Sequence, residues 1–337
     1  EAVLDGLADR MNWSAPFDRG RGTVRRGRGI AIGIKASVSP TTSVAIVYLF
    51  ADGSCNLYCG TVDMGQGAVT VMAQIAGEVL NIPAERVKVV HPDTDVTPYD
   101  MATLGSRSTY HMGHAVRLAA EDARIKVQAL AREVGLPEGS QVPLAELFQK
   151  KYKMQAGNIV GVGHYIPSYV PPDASGLTPQ ATPFWMIGGA GAEVEVDVET
   201  GHVVVTRLVN VADVGRPLNP RIVATQLSGA AIMQLGITLF EKMHHDNGQV
   251  TNASLADYKI PGIFDIPPIE NETVEAIQHS GPFGAKGAGE TGTFSVSPAI
   301  ANAIHDAVGV RITELPLNPE AVFRALRAKQ NQPLEDE

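Results

Sequence analysis

Glu290 is the side chain whose surroundings point most directly to chemistry. It lies within residues 281–292, where five of twelve positions are glycine. Small neighbours let a carboxylate project into a cavity, and a carboxylate withdrawn from water in such a place is a candidate general base. The alternative is a glutamate favoured by the dipole at a helix N-terminus. The residues alone leave both interpretations open.

Gln66 is a second candidate, because it lies between Gly65 and Gly67 where a predicted strand ends and a predicted helix begins. Free backbone N–H groups at the start of a helix suit a phosphate or the polar edge of a ring. An amide side chain offers both a donor and an acceptor to such an edge. The alternative is that the two glycines only turn the chain.

A third candidate segment lies around Gly105, just before a predicted helix. The hydroxyl groups of Ser106 and Ser108 either cap that helix or bind an oxyanion together with it. His111 and His114 stand three residues apart on the same helix, but no third ligand lies nearby in the sequence. Core or surface histidines are therefore favoured over a metal site.

The composition excludes several classes of protein. The chain has 337 residues and a net charge of −9, which argues against non-specific binding to nucleic acid. No uninterrupted apolar run approaches the roughly 18 residues of a membrane helix, so no membrane span is expected. The sequence has no nucleophile elbow, zincin or P-loop motif. Cys55 and Cys59 are too few for a four-thiolate iron–sulfur cluster, which would have to lie on another chain.

A pattern of two β-rich runs, a hairpin turn and a long helix occurs twice along the chain. The first copy comprises residues 44–49, residues 56–62 and Ala68–Leu80, and the second comprises residues 193–198, residues 203–211 and Pro220–Leu239. The repeat predicts an α+β fold with two ββα-type subdomains, in which helices pack on mainly antiparallel sheets.

The predicted domain boundary lies in residues 166–192, which are rich in proline and glycine. Loops of this length in a compact domain are usually functional or linkers. The predicted divisions are an N-terminal helix and connector (1–28), a first subdomain (29–175), a second subdomain with the Glu290 loop (176–328) and a frayed tail (329–337).

Seven segments form a combination that is specific in its order and separations. They are residues 63–67, 104–109, 219–220, 226–236, 257–261, 286–290 and 297–309. The combination resembles the C-terminal half of the molybdenum-binding subunit of the xanthine dehydrogenase, or molybdenum hydroxylase, family. The resemblance extends from about Gly29 to Leu326.

The resemblance implies a role for each candidate residue and adds further ones. It implies Glu290 as the catalytic base and a molybdenum ion held through its pterin, without a protein ligand. The implied pterin and phosphate contacts are Gly65, Gln66, Gly67, Gly105, Ser106, Arg107, Ser108, Gln234, Lys286, Gly287, Ala288 and Gly289.

The resemblance also implies an activity, which is hydroxylation of an electron-poor carbon with water as the oxygen source. The implied substrate is an N-heteroaromatic compound, nicotinate-like or xanthine-like, or an aldehyde. The implied cofactor is molybdopterin cytosine dinucleotide. The alternative is a non-catalytic subunit that holds the cofactor or assists assembly.

In the family, another half with much of the substrate funnel precedes the part that this chain resembles. We therefore expect either a subunit split in two, as in the nicotinate dehydrogenase type, or a fragment. The expected partners are a second molybdenum-binding half, a [2Fe–2S] subunit and an FAD subunit. The expected location is cytoplasmic.

Overall fold

The chain folds into two four-stranded sheets with helices packed against each of them. This description comes from a computed structural model, which describes residues 1–37, 41–137, 139–140 and 142–330. The two sheets confirm the α+β prediction and both copies of the ββα repeat.

The first sheet has the strand order β4-β3-β2-β5. Its strands are β2 (Ser43–Phe50), β3 (Cys55–Cys59), β4 (Val87–Val90) and β5 (Asn158–Tyr165). β2 is antiparallel to both of its neighbours, whereas β3 and β4 are parallel. Alternate residues of β2 are buried, as expected for a strand with one face on the core. The helices of this half are α2 (Ala68–Leu80), α3 (Gly113–Glu133) and α4 (Leu144–Tyr152).

The second sheet has the strand order β1-β6-β7-β10. Its strands are β1 (Val24–Ala36), β6 (Trp185–Asp197), β7 (Val203–Asp213) and β10 (Ile269–Val274). β6 is antiparallel to both neighbours, and β7 and β10 are parallel. The remaining elements are α1 (Ala2–Arg10), α5 (Pro220–Leu239), the small hairpin β8 (His245–Asp246) and β9 (Gln249–Val250), α6 (Val296–Val308) and α7 (Pro319–Lys329).

Glycines bring one helix unusually close to the edge strand of each sheet. A methyl group at Gly163 of β5 would overlap the carbonyl oxygen of Ala115 in α3. A methyl group at Gly29 of β1 would overlap the carbonyl oxygen of Ala299 in α6. Each helix therefore lies directly on its strand, and this fixes where the loop before the helix stands.

The predicted loop at residues 166–192 is wrong from Trp185 onward, where β6 begins. Glycine was interpreted there as a sign of irregular chain, but it serves close packing on both faces of a strand. A methyl group at Gly188 would overlap Thr291, and one at Gly191 would overlap the side chain of Met11.

β1 joins the second sheet, although its residues were predicted to lie in the N-terminal connector and the first subdomain. The strand Val24–Ala36 thus crosses the predicted boundary at residue 28 and pairs with a strand of the predicted second subdomain. The cause is a pairing that spans a large sequence separation, in which Val24 faces Asp197 and Ala36 faces Trp185. In the predicted tail, Lys329 still belongs to α7, and residues 331–337 lie outside the described residues.

Helix α5 is long and apolar enough to cross a membrane by length and composition alone. The sequence expectation of no such segment considered only uninterrupted apolar runs, and the polar residues Gln226, Ser228 and Gln234 interrupt this one. The core helix of a soluble protein passes the same test. Several α5 residues, including Leu227, Ala231 and Leu235, are buried against the second sheet and α6.

Candidate functional site

Glu290 stands where the loop before α6 meets the loop before α3. Its Oε2 atom accepts hydrogen bonds from Lys35 Nζ at 2.7 Å and from Ser106 Oγ at 3.0 Å. Its backbone N–H also donates to Ser106 Oγ, at 3.0 Å. No described residue donates to Oε1. One carboxylate oxygen is thus held, and the other is available to a ligand.

The expectation that Glu290 is withdrawn from water is wrong for this chain. Its side chain is 40% exposed and forms an ion pair with Lys35, which is 36% exposed. Two clefts, of about 660 and 540 Å³, lie near Phe283, and Glu290 lines neither of them. The carboxylate therefore faces an open surface, and any enclosing wall comes from outside the described residues.

The loop before α3 is fixed by a buried ion pair between Arg107 and Asp100. Arg107 Nη1 lies 2.5 Å from Asp100 Oδ1, and both side chains are almost fully buried. Arg107 also donates to Ser43 Oγ at 2.7 Å and to the carbonyl oxygen of Ala102 at 3.0 Å. The guanidinium of Arg107 therefore points inward and is engaged within the fold, while the implied contact of this residue with the cofactor stays a prediction. Its contacts hold Ser106 in place.

The loop before α6 is fixed in a similar way by Lys286 and Asp213. The Lys286 ammonium lies 2.8 Å from Asp213 Oδ2, and both side chains are buried. Gln226 of α5 donates to the carbonyl oxygen of Gly289 at 2.9 Å. The Lys286 ammonium is thus occupied within the fold, while the implied contact of this residue with the cofactor stays a prediction.

The two loops touch each other through glycine. A methyl group at Gly287 would overlap the carbonyl oxygen of Ser106, and one at Gly289 would lie 3.4 Å from Ser106 Oγ. Ser106 itself adopts a left-handed conformation, with φ at 60°. Only glycine permits this approach at residue 287, whereas a methyl group at residue 289 would make an ordinary contact.

A set of backbone donors surrounds Glu290. Among the described residues, none accepts a hydrogen bond from the N–H groups of Gly105, Ser106, Gly287, Ala288 or Gly289. Unpaired backbone N–H groups are costly unless water or a ligand binds them. This donor set suits phosphate oxygens and the polar edge of a ring, and it fits the implied pterin cofactor.

Ser108 and Ala288, two further implied contacts, lie one on each of the two loops. Ser108 is half-buried and opens a π-helical turn, Ser108–Met112, which continues directly into α3. The methyl group of Ala288 packs beside the buried Leu227 and Val214, so only its backbone is available.

Gln66 closes its own loop. Its Oε1 accepts from the N–H of Met64, and its Nε2 donates to the carbonyl oxygen of Val62, both at 2.7 Å. The sequence predicts that this amide is available to the edge of a ring. In the structure, both of its polar atoms already form hydrogen bonds within the loop. The Thr103 hydroxyl accepts from the N–H of Val62 at 2.9 Å, which joins this loop to the one that holds Ser106.

Asp63 occupies the helix start that was predicted to offer free N–H groups. Its carboxylate accepts from the N–H groups of Gly65 at 2.9 Å, Gly67 at 3.4 Å and Val69 at 2.9 Å. Although burial opposes the shift, these hydrogen bonds lower the pKa of Asp63 overall. Asp63 already places a negative charge at the start of α2, which disfavours a phosphate at the same N–H groups.

Gln234 lies about two helical turns beyond Gln226 on α5. Its amide nitrogen donates to Ser297 Oγ, and its backbone carbonyl accepts from Thr238. The structure therefore brings Gln226, and not Gln234, to the Glu290 loop.

The two histidines belong to an aromatic cluster. His114 stacks on Tyr165 with ring centroids 4.3 Å apart, and His111 is fully buried beside Tyr110. Burial lowers the pKa of His114, whose Nε2 lies 2.5 Å from the carbonyl oxygen of Ser280. The burial of both rings agrees with the interpretation of these histidines as core residues. Within the described ranges no group of three metal-ligating side chains is present.

Four residues of the site were missed by the sequence interpretation: Lys35, Asp100, Asp213 and Gln226. Each is a lone polar residue whose partner is brought to it by folding. Gln226 and Asp213 carried a detectable signal, because Asp213 comes two residues after a β-rich run and Gln226 opens one of the seven segments. Lys35 and Asp100 carried none.

The profile of the molybdopterin cofactor-binding domain family matches residues 5–267. The probable hypoxanthine oxidase XdhD of Escherichia coli K12 is 32% identical over 346 residues, which cover 97% of this chain and 35% of that protein. The nicotine 6-hydroxylase large subunit of Paenarthrobacter nicotinovorans is 30% identical over 367 residues, covering 96% of this chain and 44% of that subunit.

Solved structures show the same likeness in three dimensions. The aldehyde oxidoreductase from Desulfovibrio desulfuricans superposes with a TM-score of 0.79 at 32% identity, over 96% of this chain and 34% of that one. The chain thus spans between about a third and a half of the length of the relatives it matches.

Proposed function

Because this chain belongs to the molybdopterin cofactor-binding domain family, we propose that it supplies one half of the active site of a molybdenum hydroxylase. The observation that carries the proposal is the placement of Glu290 at the meeting of two loops with unused backbone donors. The reaction is hydroxylation of an electron-poor carbon in an N-heteroaromatic compound or an aldehyde. The activities for which the relatives are named support these substrate classes.

The residues that would hold the cofactor are the backbone donors of the two loops. The N–H groups of Gly105, Ser106, Gly287 and Gly289 have no acceptor among the described residues, which fits phosphate and pterin oxygens. Arg107 acts indirectly, because it fixes the loop through Asp100. When bound, the molybdenum cofactor supplies the two-electron redox chemistry and Lewis acidity. We further propose the cytosine dinucleotide form.

Glu290 is assigned as the base through its Oε1 atom. Hydroxylation with water as the oxygen source releases a proton, and a carboxylate with one unoccupied oxygen can accept it. Oε2 is held by Lys35 and Ser106, so the acceptor has a defined direction. Positioning of this kind is a substantial part of catalysis by a fixed base.

The other half of the site would come from a partner. Apolar side chains are exposed at Leu104, on the loop before α3, and at Val62 and Met64, on the loop before α2 that binds it through Thr103. Exposed apolar groups that cluster near a site indicate a surface that another protein covers. We propose a second molybdenum-binding half, with [2Fe–2S] and FAD subunits that carry electrons away, in a cytoplasmic complex. The large-subunit name of one relative supports a multi-subunit assembly.

Two measurements on the native complex, purified through a tag on this chain, test the proposal. The first is the content of molybdenum, of acid-released CMP and of co-purifying chains. The second is turnover of the Glu290→Gln variant, with Glu314→Gln as a control at an exposed site. We expect Glu290→Gln to keep its molybdenum and to lose about 100-fold or more in kcat.

The competing function is a subunit that holds the cofactor while all chemistry lies on its partner. The presence of Glu290 with a free oxygen favours catalysis, because cofactor retention alone does not require it. Full turnover in a metal-replete Glu290→Gln complex would favour the competing function.

A further inference from the structure

We propose that Lys35 is a positioning residue for Glu290, so that strand β1 belongs to the catalytic machinery. The inference rests on the proposed function of Glu290 as the base. It assigns a role to a side chain that stands 255 residues away from Glu290 in the sequence.

The geometry of β1 places Lys35 at this point. Successive residues of a strand face opposite sides, so Gly29, Gly33 and Lys35 share one face. Gly29 lies on Ala299 within α6, and a methyl group at Gly33 would overlap the ring of Phe294, just before the helix. The next residue on this face, Lys35, therefore lies beyond the start of α6, where the chain holds Glu290.

The two oxygens of the Glu290 carboxylate differ in their hydrogen bonds. Lys35 Nζ and Ser106 Oγ both donate to Oε2, at 2.7 and 3.0 Å, and no described residue donates to Oε1. The lysine of the Glu290 loop, Lys286, is occupied by Asp213. Lys35 is thus the cation of the described chain that faces Glu290, and it fixes which oxygen turns toward a ligand.

The exposure of the pair argues against a mainly structural purpose. Both side chains are about two-fifths exposed, and ion pairs of this kind contribute little to folding stability. Long side chains lose conformational freedom when they are held in one geometry. A contact that adds little stability and orders a candidate base is best explained by what it does to that base.

The test compares Lys35→Met, Lys35→Arg and a matched control in the native complex. The control is Lys126→Met, which removes a lysine from another exposed ion pair, with Asp122, on α3. We expect Lys35→Met to keep its molybdenum and its KM while kcat falls by roughly 10-fold to 100-fold, since a misdirected base is costly. Lys35→Arg should restore most of kcat, and Lys126→Met should leave kcat unchanged.

A second readout does not depend on turnover. In the complete chain labelled with ¹⁵N-lysine, the Lys35 ammonium should give a signal protected from exchange, because a carboxylate holds it. Glu290→Gln should remove that protection, whereas Lys126→Met should not affect it. Protection that survives Glu290→Gln would overturn the contact on which the inference rests.

The possible outcomes distinguish the positioning role of Lys35 from the proposed function of Glu290 as the base. Loss of turnover in Glu290→Gln with unchanged kcat in Lys35→Met overturns the role of Lys35 and leaves the base in place. Unchanged turnover in both variants overturns the proposed function itself. Loss of molybdenum from Lys35→Met would also overturn the positioning role, since Lys35 would then serve cofactor retention.

Discussion

The two halves of the molecule share one sheet design and differ at the point where chemistry is expected. The strand orders β4-β3-β2-β5 and β10-β7-β6-β1 have the same sequence of parallel and antiparallel neighbours. The antiparallel edge strand of the first half, β5, is the last strand of its sheet in the chain. The corresponding strand of the second half, β1, is the first. A common architecture is thus reached through different chain connections.

The same packing device holds a helix on each edge strand. Gly161 of β5 lies on Ala119 of α3, and Gly27 of β1 lies on Ala303 of α6. In both halves the later glycine of the strand lies nearer the start of the helix, at Ala115 for Gly163 and at Ala299 for Gly29. The loops that precede α3 and α6 are therefore brought to comparable positions, and they meet at Ser106 and Gly287.

The difference lies at the ends of the two edge strands. β5 ends at Tyr165, which stacks on His114 and closes the first half with aromatic rings. β1 carries Lys35 near its end, where it binds the exposed carboxylate of Glu290. Both halves therefore use the same packing of a helix on a glycine-containing strand. At the end of that strand, the first half has stacked aromatic rings and the second half has a charged, accessible ion pair.

The largest expected effect concerns the buried ion pair of each half. We expect Arg107→Met to destabilise the chain by about 3–5 kcal/mol, because it leaves Asp100 as an unpaired buried charge. Lys286→Met should cost less, since the Lys286–Asp213 pair is slightly more exposed. Urea unfolding of both variants measures the difference. A larger loss in Lys286→Met would contradict the ranking.

The second prediction concerns the glycines under the helices. Gly163→Ala and Gly29→Ala should each cost about 1–3 kcal/mol, because an added methyl group forces α3 or α6 away from its strand. The control is Gly229→Ala in α5, where an added methyl group meets nothing within 4 Å and should be neutral or stabilising. Thermal unfolding gives the comparison, and equal stability of Gly163→Ala and the control would refute the packing account.

A weaker effect is expected from the titration of His114, on α3 of the first half. Burial lowers the pKa of His114, so the folded chain favours the neutral imidazole more than the unfolded chain does. The stability is fully present above the ordinary histidine pKa of about 6.5 and falls as the pH drops toward the folded pKa. His114→Gln should flatten this slope in urea unfolding between about pH 8 and pH 5. An unchanged slope would show that His114 is not its source.

The sequence was sufficient for features that depend on local pattern. The ββα repeat followed from hydrophobic runs and turn residues, and Glu290 was found because glycines cluster around it. β1 escaped detection because its partner strand lies about 150 residues away, and strand pairing at such a distance has no local signal.

The direction in which polar side chains point is the other feature that the sequence did not predict. Arg107 and Lys286 have residue types that suit an anionic ligand, but folding buries both against carboxylates. Gln66 has an amide that could bind the polar edge of a ring, but both of its polar atoms form hydrogen bonds to the backbone of its own loop. Residue type predicts what a group can bind, and only the fold decides which way it points.

The most direct test of the account is a structure of the native complex, determined by cryo-electron microscopy with its cofactor bound. The account predicts density for a pterin at the backbone N–H groups of Gly105, Ser106, Gly287 and Gly289, with Oε1 of Glu290 facing the metal. It also predicts that Lys35 still binds Oε2. A cofactor bound away from these two loops, with Glu290 facing solvent or a partner side chain, would contradict the central claim.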